Sequence, residues 1–238
     1  MKRTLENKIA VVTGGSGAIG SAIIADLEQQ GACAVSLDVA SPAATPFQAC
    51  DVRVDGSVAS AIAKVQHTYG HLDLVVHAAG VSREAVVWKL AVEDWDFVHS
   101  VNLRGAFLLL RHAIPVMRAG EGGRIVLIGS INGSRGKFGT SAYSASKAGL
   151  IALARTVARE VARLGILINV VEPRWVRTPL TDSQPQAVRD AALAENLVGK
   201  YVEPEDVAAA VTFLCGPGAQ QITGQILRVD GGQSLGSV

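Results

Sequence analysis

"KIAVVTGGSGAIGSAIIADLEQQG", residues 8–31, decides the fold. Its first six residues form a short, β-branched apolar run of strand length. Glycines follow at positions 14, 15 and 17, and then "AIGSAIIADLEQQG" reads as a helix stopped at Gly31. Gly15, Gly17 and Gly20 fit G-x-G-x-x-G. That spacing is weak alone and gains meaning here, between a strand and a helix. Glycines let the turn close and let backbone N–H groups approach a pyrophosphate at the helix N-terminus. Asp38 ends the next apolar run, 33–39. A carboxylate there can accept hydrogen bonds from both adenosine ribose hydroxyls and would repel a 2′-phosphate. Neither "DVASPAA" (38–44) nor the glycine turn contains Arg or Lys. NAD(H) is therefore expected over NADP(H).

Outward from this unit the alternation continues. Strands are expected at 33–39, 46–52, 72–80, 123–130, 166–173 and 224–232, and helices at 55–69, about 92–119, 142–164 and 204–215. Residues 179–203 form the least regular region. Short β-branched runs separated by amphipathic helices predict parallel strands with right-handed crossovers. Continuous apolar strands predict a sheet covered on both faces. The expected fold is one doubly wound, Rossmann-type α/β domain over 1–238, with a mostly parallel seven-stranded sheet and a substrate lid at about 180–200.

The composition agrees with one large core. Of 238 residues, 49% are hydrophobic and 18% charged, and the formal charge of +1 points to neither nucleic acid nor an anionic membrane. Cys33, Cys50 and Cys215 form no CxxC pair and fit free thiols in a reducing cytoplasm. The N-terminus does not read as a signal peptide, because Glu6, Asn7 and Lys8 interrupt any apolar stretch. "GAFLLLRHAIPVM" carries Arg111 and His112 and is too short to span a bilayer. His67 and His71 are separated by Gly70, which should end their helix, so no metal site is expected.

In "AYSASKAGL" (142–150), Tyr143 and Lys147 stand four apart, on one face of the expected helix. A nearby ammonium favours the phenolate, which would make Tyr143 a proton donor and acceptor near neutral pH. Ser130 ends the strand "RIVLIGS". Ligands of open parallel sheets bind outside the carboxyl ends of the strands, so Ser130, the start of the 142–164 helix and the glycine turn should share one rim.

These residues resemble the short-chain dehydrogenase/reductase family, in its branch of about 250 residues. The likeness runs through the glycine turn, Asp51 in "CDV", "HAAG" (77–80), Asn102 in "VNLRG", Ser130, Tyr143-x-x-x-Lys147, "NVVEPRWVRTP" (169–179) and the closing "VDGG". The resemblance implies that Tyr143 is the general acid/base and that Lys147 binds the nicotinamide ribose and lowers the tyrosine's pKa. Ser130 would polarise the substrate oxygen, and Asn102 would hold a water linking Lys147 to solvent. A helix kink or cap is the alternative for Asn102. Cofactor contacts are implied for Gly14, Ser16, Gly17, Ile19, Gly20, Asp38, Asp51 (adenine), Val52, Ala79, Gly80, Tyr143, Lys147, Pro173, Val176 and Thr178 (phosphates or carboxamide).

Three positions depart from the family pattern. Ala18 stands where a glycine is usual, with Gly17 as a possible substitute. "HAAG" replaces Asn-Asn-Ala-Gly, which makes His77 a core or loop histidine rather than a catalytic one. Pro173-Arg174 replaces Pro-Gly beside the nicotinamide. Arg174 is expected to point outward, to bind an anionic substrate group, or to weaken cofactor binding.

Residues 80–103 look most like 3-oxoacyl-carrier-protein reductases and their relatives, which include dehydrogenases of secondary alcohols. Those reductases usually prefer NADPH, and Asp38 argues against that here. The expected activity is an NAD-dependent secondary-alcohol dehydrogenase or ketone reductase. A 3-oxoacyl-thioester reductase using NADPH and a non-catalytic dinucleotide sensor or scaffold are the alternatives. The expected partner is a small-molecule substrate, its pocket lined by Val81–Arg83, Ile131–Asn132, Phe138, Arg174–Trp175 and the lid. The Ala-rich 142–164 helix suggests a homo-oligomer, tetramer or dimer.

Overall fold

The computed structural model of the chain describes residues 4–40, 46–182 and 184–235. Residues 41–45, which follow Asp38, and Ser183 in the lid lie outside the described residues. Seven strands, β1 (Ile9–Thr13), β2 (Cys33–Asp38), β3 (Phe47–Ala49), β4 (Leu74–His77), β5 (Gly123–Ile128), β6 (Ile166–Pro173) and β7 (Ile226–Val229), form one sheet in the order β3-β2-β1-β4-β5-β6-β7. Every pairing is parallel. After β1 the chain runs one way to β3 and then returns to β4 on the other side, so a crevice opens beyond the carboxyl ends of β1 and β4.

Alternate strand residues feed two cores. Ile9, Val11, Val35 and Ile125 face α2 (Asp55–Tyr69), α4 (Gly105–Ala119) and α6 (Ser141–Val161). Ala10, Val12, Ala34 and Val126 face α1 (Ala18–Gln29) and α9 (Pro204–Cys215). Both faces are buried, which is why these strands read as unbroken apolar runs rather than alternating ones.

The expected helix over 92–119 is divided. α3 (Val92–His99) passes into a π-helical turn at Ser100–Arg104 before α4 begins. A short helix, α5 (Ile131–Arg135), follows β5 and has no counterpart in the sequence reading. The irregular region contains α7 (Pro179–Asp182) and α8 (Gln186–Ala194). Its base is tied by a bridge between Val176 and Val202 and by Arg177 N–H donating to the Val202 carbonyl at 2.8 Å. Among the described residues no helix is long and apolar enough to cross a membrane.

Candidate active site

At the β1–α1 turn, glycine is demanded by both shape and space. Gly14 has φ +68°, and a Cβ there would lie 2.7 Å from the Ala79 backbone. A Cβ on Gly20 would strike the Gly14 carbonyl, and one on Gly15 would strike Ser36 and Ile24. Gly17 is less constrained: it caps α1 with an ordinary φ of −80°, and only the Gly14 carbonyl, at 3.3 Å, would meet its Cβ.

Beyond this turn lies a cavity of about 380 Å³ lined by Gly14, Gly17, Asp38, Asp51, Val52, Ala79 and Gly80 among others. At one wall the Asp38 carboxylate is clamped by backbone N–H groups, with Ser16 N at 3.0 Å on one oxygen and Val39 N at 2.7 Å on the other. A glycine cradle, a fixed carboxylate and a cavity of this size fit a dinucleotide. Ser16 reaches this site through its backbone. Ile19 and Gly20 sit behind the cradle in α1, whereas Pro173, Val176 and Thr178 stand at the β6 end, outside the cavity lining.

The sequence reading missed Arg53, which also lines the cavity. Its Nε and Nη2 donate to the two oxygens of Asp51 at 3.0 and 2.7 Å, and its guanidinium lies over the Phe97 ring. Arg83, expected at the substrate pocket, stacks on the same ring and pairs with Asp94. Val81 likewise lines the dinucleotide cavity. Phe138 is 85% exposed and leaves the pocket to its neighbours. The "DVR" spacing, a carboxylate two residues before an arginine, was the available signal for Arg53.

Across the crevice, β5 and α6 bring the polar residues together. Ser130 caps α5, its hydroxyl accepting from Asn132 N–H at 3.2 Å. Gly133 lets α5 lie against α6, since a Cβ there would meet the Lys147 backbone at 2.8 Å. Lys147 is buried, with Nζ donating to the Ile128 carbonyl at 2.7 Å and lying 5.7 Å from the Tyr143 ring centroid. Asn102, in the π-helical turn, donates to Val81 O and Ser146 Oγ and accepts from Val81 N–H, locking the 80–82 loop to α6. Among the described residues no three His, Cys, Asp or Glu side chains converge on a point.

The electrostatics differ from the expectation in one respect. Burial raises the Tyr143 pKa, opposed by hydrogen bonding from Ser130 and by the Arg174 charge. Lys147, expected to lower the tyrosine, is itself pushed down to about 8 by burial. Arg174 is a second cation acting on Tyr143, beside Lys147 over its ring.

The family model described as "Enoyl-(Acyl carrier protein) reductase", of the short-chain dehydrogenase type, matches residues 15–234. This chain belongs to the short-chain dehydrogenase/reductase family. Among its relatives is the 3-oxoacyl-[acyl-carrier-protein] reductase FabG of Thermotoga maritima, 32% identical, covering 96% of this chain and 98% of the relative. The acetoacetyl-CoA reductase of a Synechocystis strain is 36% identical, covering 95% and 96%. Among solved structures, the aldohexose dehydrogenase of Thermoplasma acidophilum superposes with a TM-score of 0.92 at 30% identity, covering 97% of this chain and 95% of that one.

The departures from the short-chain dehydrogenase/reductase pattern have distinct structural outcomes. Ala18 opens α1 without disturbing the turn. His77 is fully buried, its Nε2 3.2 Å from the Asn102 carbonyl and its Nδ1 2.9 Å from Thr13 Oγ1. A carbonyl only accepts, so Nε2 carries the proton and Nδ1 accepts from the Thr13 hydroxyl. The histidine thus ties β1 and β4 to the π-helical turn as a neutral core residue. Burial, reinforced by the Lys147 charge, depresses its pKa from 6.5 to about 3. The unfolded chain therefore takes up a proton that the folded chain refuses. Stability should fall as pH drops from about 6.5 toward 3, by up to ~1.4 kcal/mol per pH unit. His77→Asn should flatten that part of the profile. Unfolding midpoints measured between pH 4 and 7 test this, and parallel curves for the two proteins would count against it.

Arg174 points inward. It is only 8% exposed and reaches Asn132 and Glu195 rather than solvent. The outward orientation weighed from the sequence is therefore overturned.

Proposed function

We propose that this protein is an NAD(H)-dependent oxidoreductase acting on a secondary alcohol or ketone, with Tyr143 as general acid/base. The observation that carries this reading is the placement of Ser130, Tyr143 and Lys147 on one side of a crevice whose other side is the glycine cradle. When bound, the nicotinamide dinucleotide supplies or accepts the hydride. Ser130 holds and polarises the substrate oxygen. Tyr143, kept protonated at neutral pH by burial, donates to a carbonyl oxygen during reduction and recovers the proton from the alcohol in the reverse direction. Lys147 positions the cofactor ribose and supplies a positive charge beside the tyrosine. Asn102 holds the 80–82 loop and thereby Gly80, whose Cα lies so near Lys147 that a Cβ would be 3.3 Å from Nζ. In this proposal Asp51 and Val52 meet the adenine, and Pro173, Val176 and Thr178 approach the nicotinamide end.

The preference for NAD(H) rests on Asp38. Its carboxylate is held by backbone N–H groups and stays where a ribose 2′-substituent would arrive, so a phosphate there meets like charge. Arg53 offsets this only in part, since its Nε and Nη2 are held by Asp51. Charge-assisted hydrogen bonds are worth ~1.5–3 kcal/mol, so Asp38→Ala should cost NADH about 10- to 100-fold in affinity and erode the discrimination against NADPH. Side-by-side fluorescence titrations with both cofactors measure this. Unchanged selectivity would remove Asp38 from the reading.

A second reading, reduction of a 3-oxoacyl thioester, is supported by the activities for which the FabG and acetoacetyl-CoA reductase relatives are named. The aldohexose dehydrogenase likeness supports alcohol oxidation instead. Assaying acetoacetyl-CoA beside simple ketones separates the two. A homo-oligomer fits the apolar groove of Leu103, Phe107 and Leu153 between α4 and α6, and the three free thiols suit a reducing cytoplasm.

A further inference from the structure

Arg174 is a guanidinium nine-tenths buried beside the reacting groups, and its hydrogen bonding is incomplete. Nη1 donates to the Asn132 amide oxygen at 2.7 Å. Nη2 makes a single long contact, 3.4 Å, to Glu195 of the lid, and Nε has no partner among the described residues. Nε and Nη2 form one edge of the guanidinium, the edge that grips a carboxylate with two parallel bonds. The same molecule shows what that edge does when satisfied: Arg53 takes both oxygens of Asp51 with Nε and Nη2. In Arg174 this fork is left almost empty. An unsatisfied buried donor of this kind is costly, and a charged one more so.

The surroundings say what the fork is built to receive. Asn132 lies two residues after Ser130, and the Arg174 charge bears directly on Tyr143. Arg135 stands nearby and donates to the same Glu195 oxygen at 2.9 Å. Two guanidiniums thus share one carboxylate, which is itself 43% exposed and carried by the loop after α8. The chain bends at Trp175, whose φ of +26° lies in the left-handed region that side chains rarely adopt. The fork is held by Asn132, two residues after Ser130, and by Glu195 of the lid, which sets it on the side proposed for the substrate.

We propose that Arg174 recognises a carboxylate on the substrate, next to or one carbon from the reacting carbon, and that Glu195 touches the edge of the fork as a weak internal stand-in until that carboxylate displaces it. The substrate class is a short 2- or 3-hydroxy acid and its oxo acid, held by its carboxylate on Arg174 and its hydroxyl or carbonyl oxygen at Ser130 and Tyr143. A planar carboxylate is favoured because a planar carboxylate already reaches this site. This proposal rests on the oxidoreductase reading but is tested separately from it.

The experiment is calorimetric titration of the NADH-loaded protein, and of the protein alone, with 2- and 3-hydroxybutyrate and with the corresponding hydroxybutyramides. NADH cannot oxidise a hydroxy acid, so the heat reports binding. At least one acid should bind tenfold or more tightly than its amide. Arg174→Met should abolish that preference, whereas Glu195→Gln should strengthen acid binding several-fold by weakening the competitor. If Arg174→Met does not fold, the Glu195→Gln comparison decides alone. Equal affinity for acid and amide in both the natural protein and Glu195→Gln would overturn the proposal. Neutral ketones reduced at Tyr143 with no acid preference would leave the oxidoreductase reading standing. Acid binding that depends on Arg174 without any NADH binding would do the reverse.

Discussion

Tyr143→Phe abolishes almost all turnover while leaving NADH binding within about twofold: this is the expected result with the largest effect. General acid–base catalysis by one positioned group contributes roughly 10²- to 10⁴-fold, and neither Ser130 nor Lys147 is placed to replace it. Ser130 has a hydroxyl but an alcohol pKa far too high to share the role, and its oxygen already accepts from Asn132 N–H. Lys147 gives one N–H to the Ile128 carbonyl and the others, in this proposal, to the cofactor ribose. Phenylalanine keeps the ring that lies 5.7 Å from Lys147 Nζ and removes only the oxygen. Folding should therefore survive, and the loss should appear in kcat. Steady-state assay with ketone and NADH, beside a fluorescence titration of NADH, separates chemistry from binding. A variant that retains a tenth of the natural turnover would sink the general-acid role. A natural protein that binds NADH yet turns over no alcohol or ketone would bring forward the sensor reading.

The parts of this site that depend on local rules were legible in the sequence. A glycine turn between a strand and a helix, a carboxylate ending the second strand, and two polar residues four apart in a helix are each set by spacing within one or two elements. The sheet carries them to a common rim because parallel strands end on the same side. What was not legible depends on tertiary context. The five residues of α5 are too few to show a helical period, yet they carry Asn132 to Arg174. The π-helical turn at Asn102 is invisible to a pattern read at 3.6 residues per turn, because one inserted residue changes the face without changing the composition. The direction of Arg174 was open in the sequence, since a strand-end arginine reaches water or the site with equal ease. Asn132 and Glu195, far away in sequence, decide it. The same reasoning explains Tyr143: proximity to Lys147 suggested a lowered pKa, while burial, which sequence spacing does not reveal, turns it upward.

Lys147→Met should give the second large effect, and on two readouts with different signs. Loss of the ammonium removes the group proposed to hold the nicotinamide ribose and the positive charge beside Tyr143. Cofactor affinity should fall about 10-fold or more, the worth of one charge-assisted hydrogen bond, and turnover should fall further. Stability should respond otherwise. Burial lowers the Lys147 pKa from 10.5 to about 8, so at pH 7 the fold holds a charged group that it disfavours. At ~1.4 kcal/mol per pKa unit that cost is on the order of 3 kcal/mol. Methionine removes it, while the orphaned Ile128 carbonyl costs back about 1–3 kcal/mol. The net change at pH 7 is small or stabilising. The pH dependence is the sharper test. Between pH 8 and 10 the unfolded chain keeps a proton on this lysine that the folded chain has released, so Lys147 itself adds stability through that window. Cys50 and Cys215 have the opposite effect, since burial pushes their thiols up to about 11 and about 12. The variant lacks the lysine's contribution, so the stability difference between the two proteins should shift toward the natural protein as pH rises from 8 to 10. Denaturant unfolding at pH 7, 8, 9 and 10 measures both, with NADH titration on the same samples. A variant that binds NADH normally would end the cofactor role of Lys147. Profiles that run parallel between pH 8 and 10 would show that Lys147 is not the group that releases the proton.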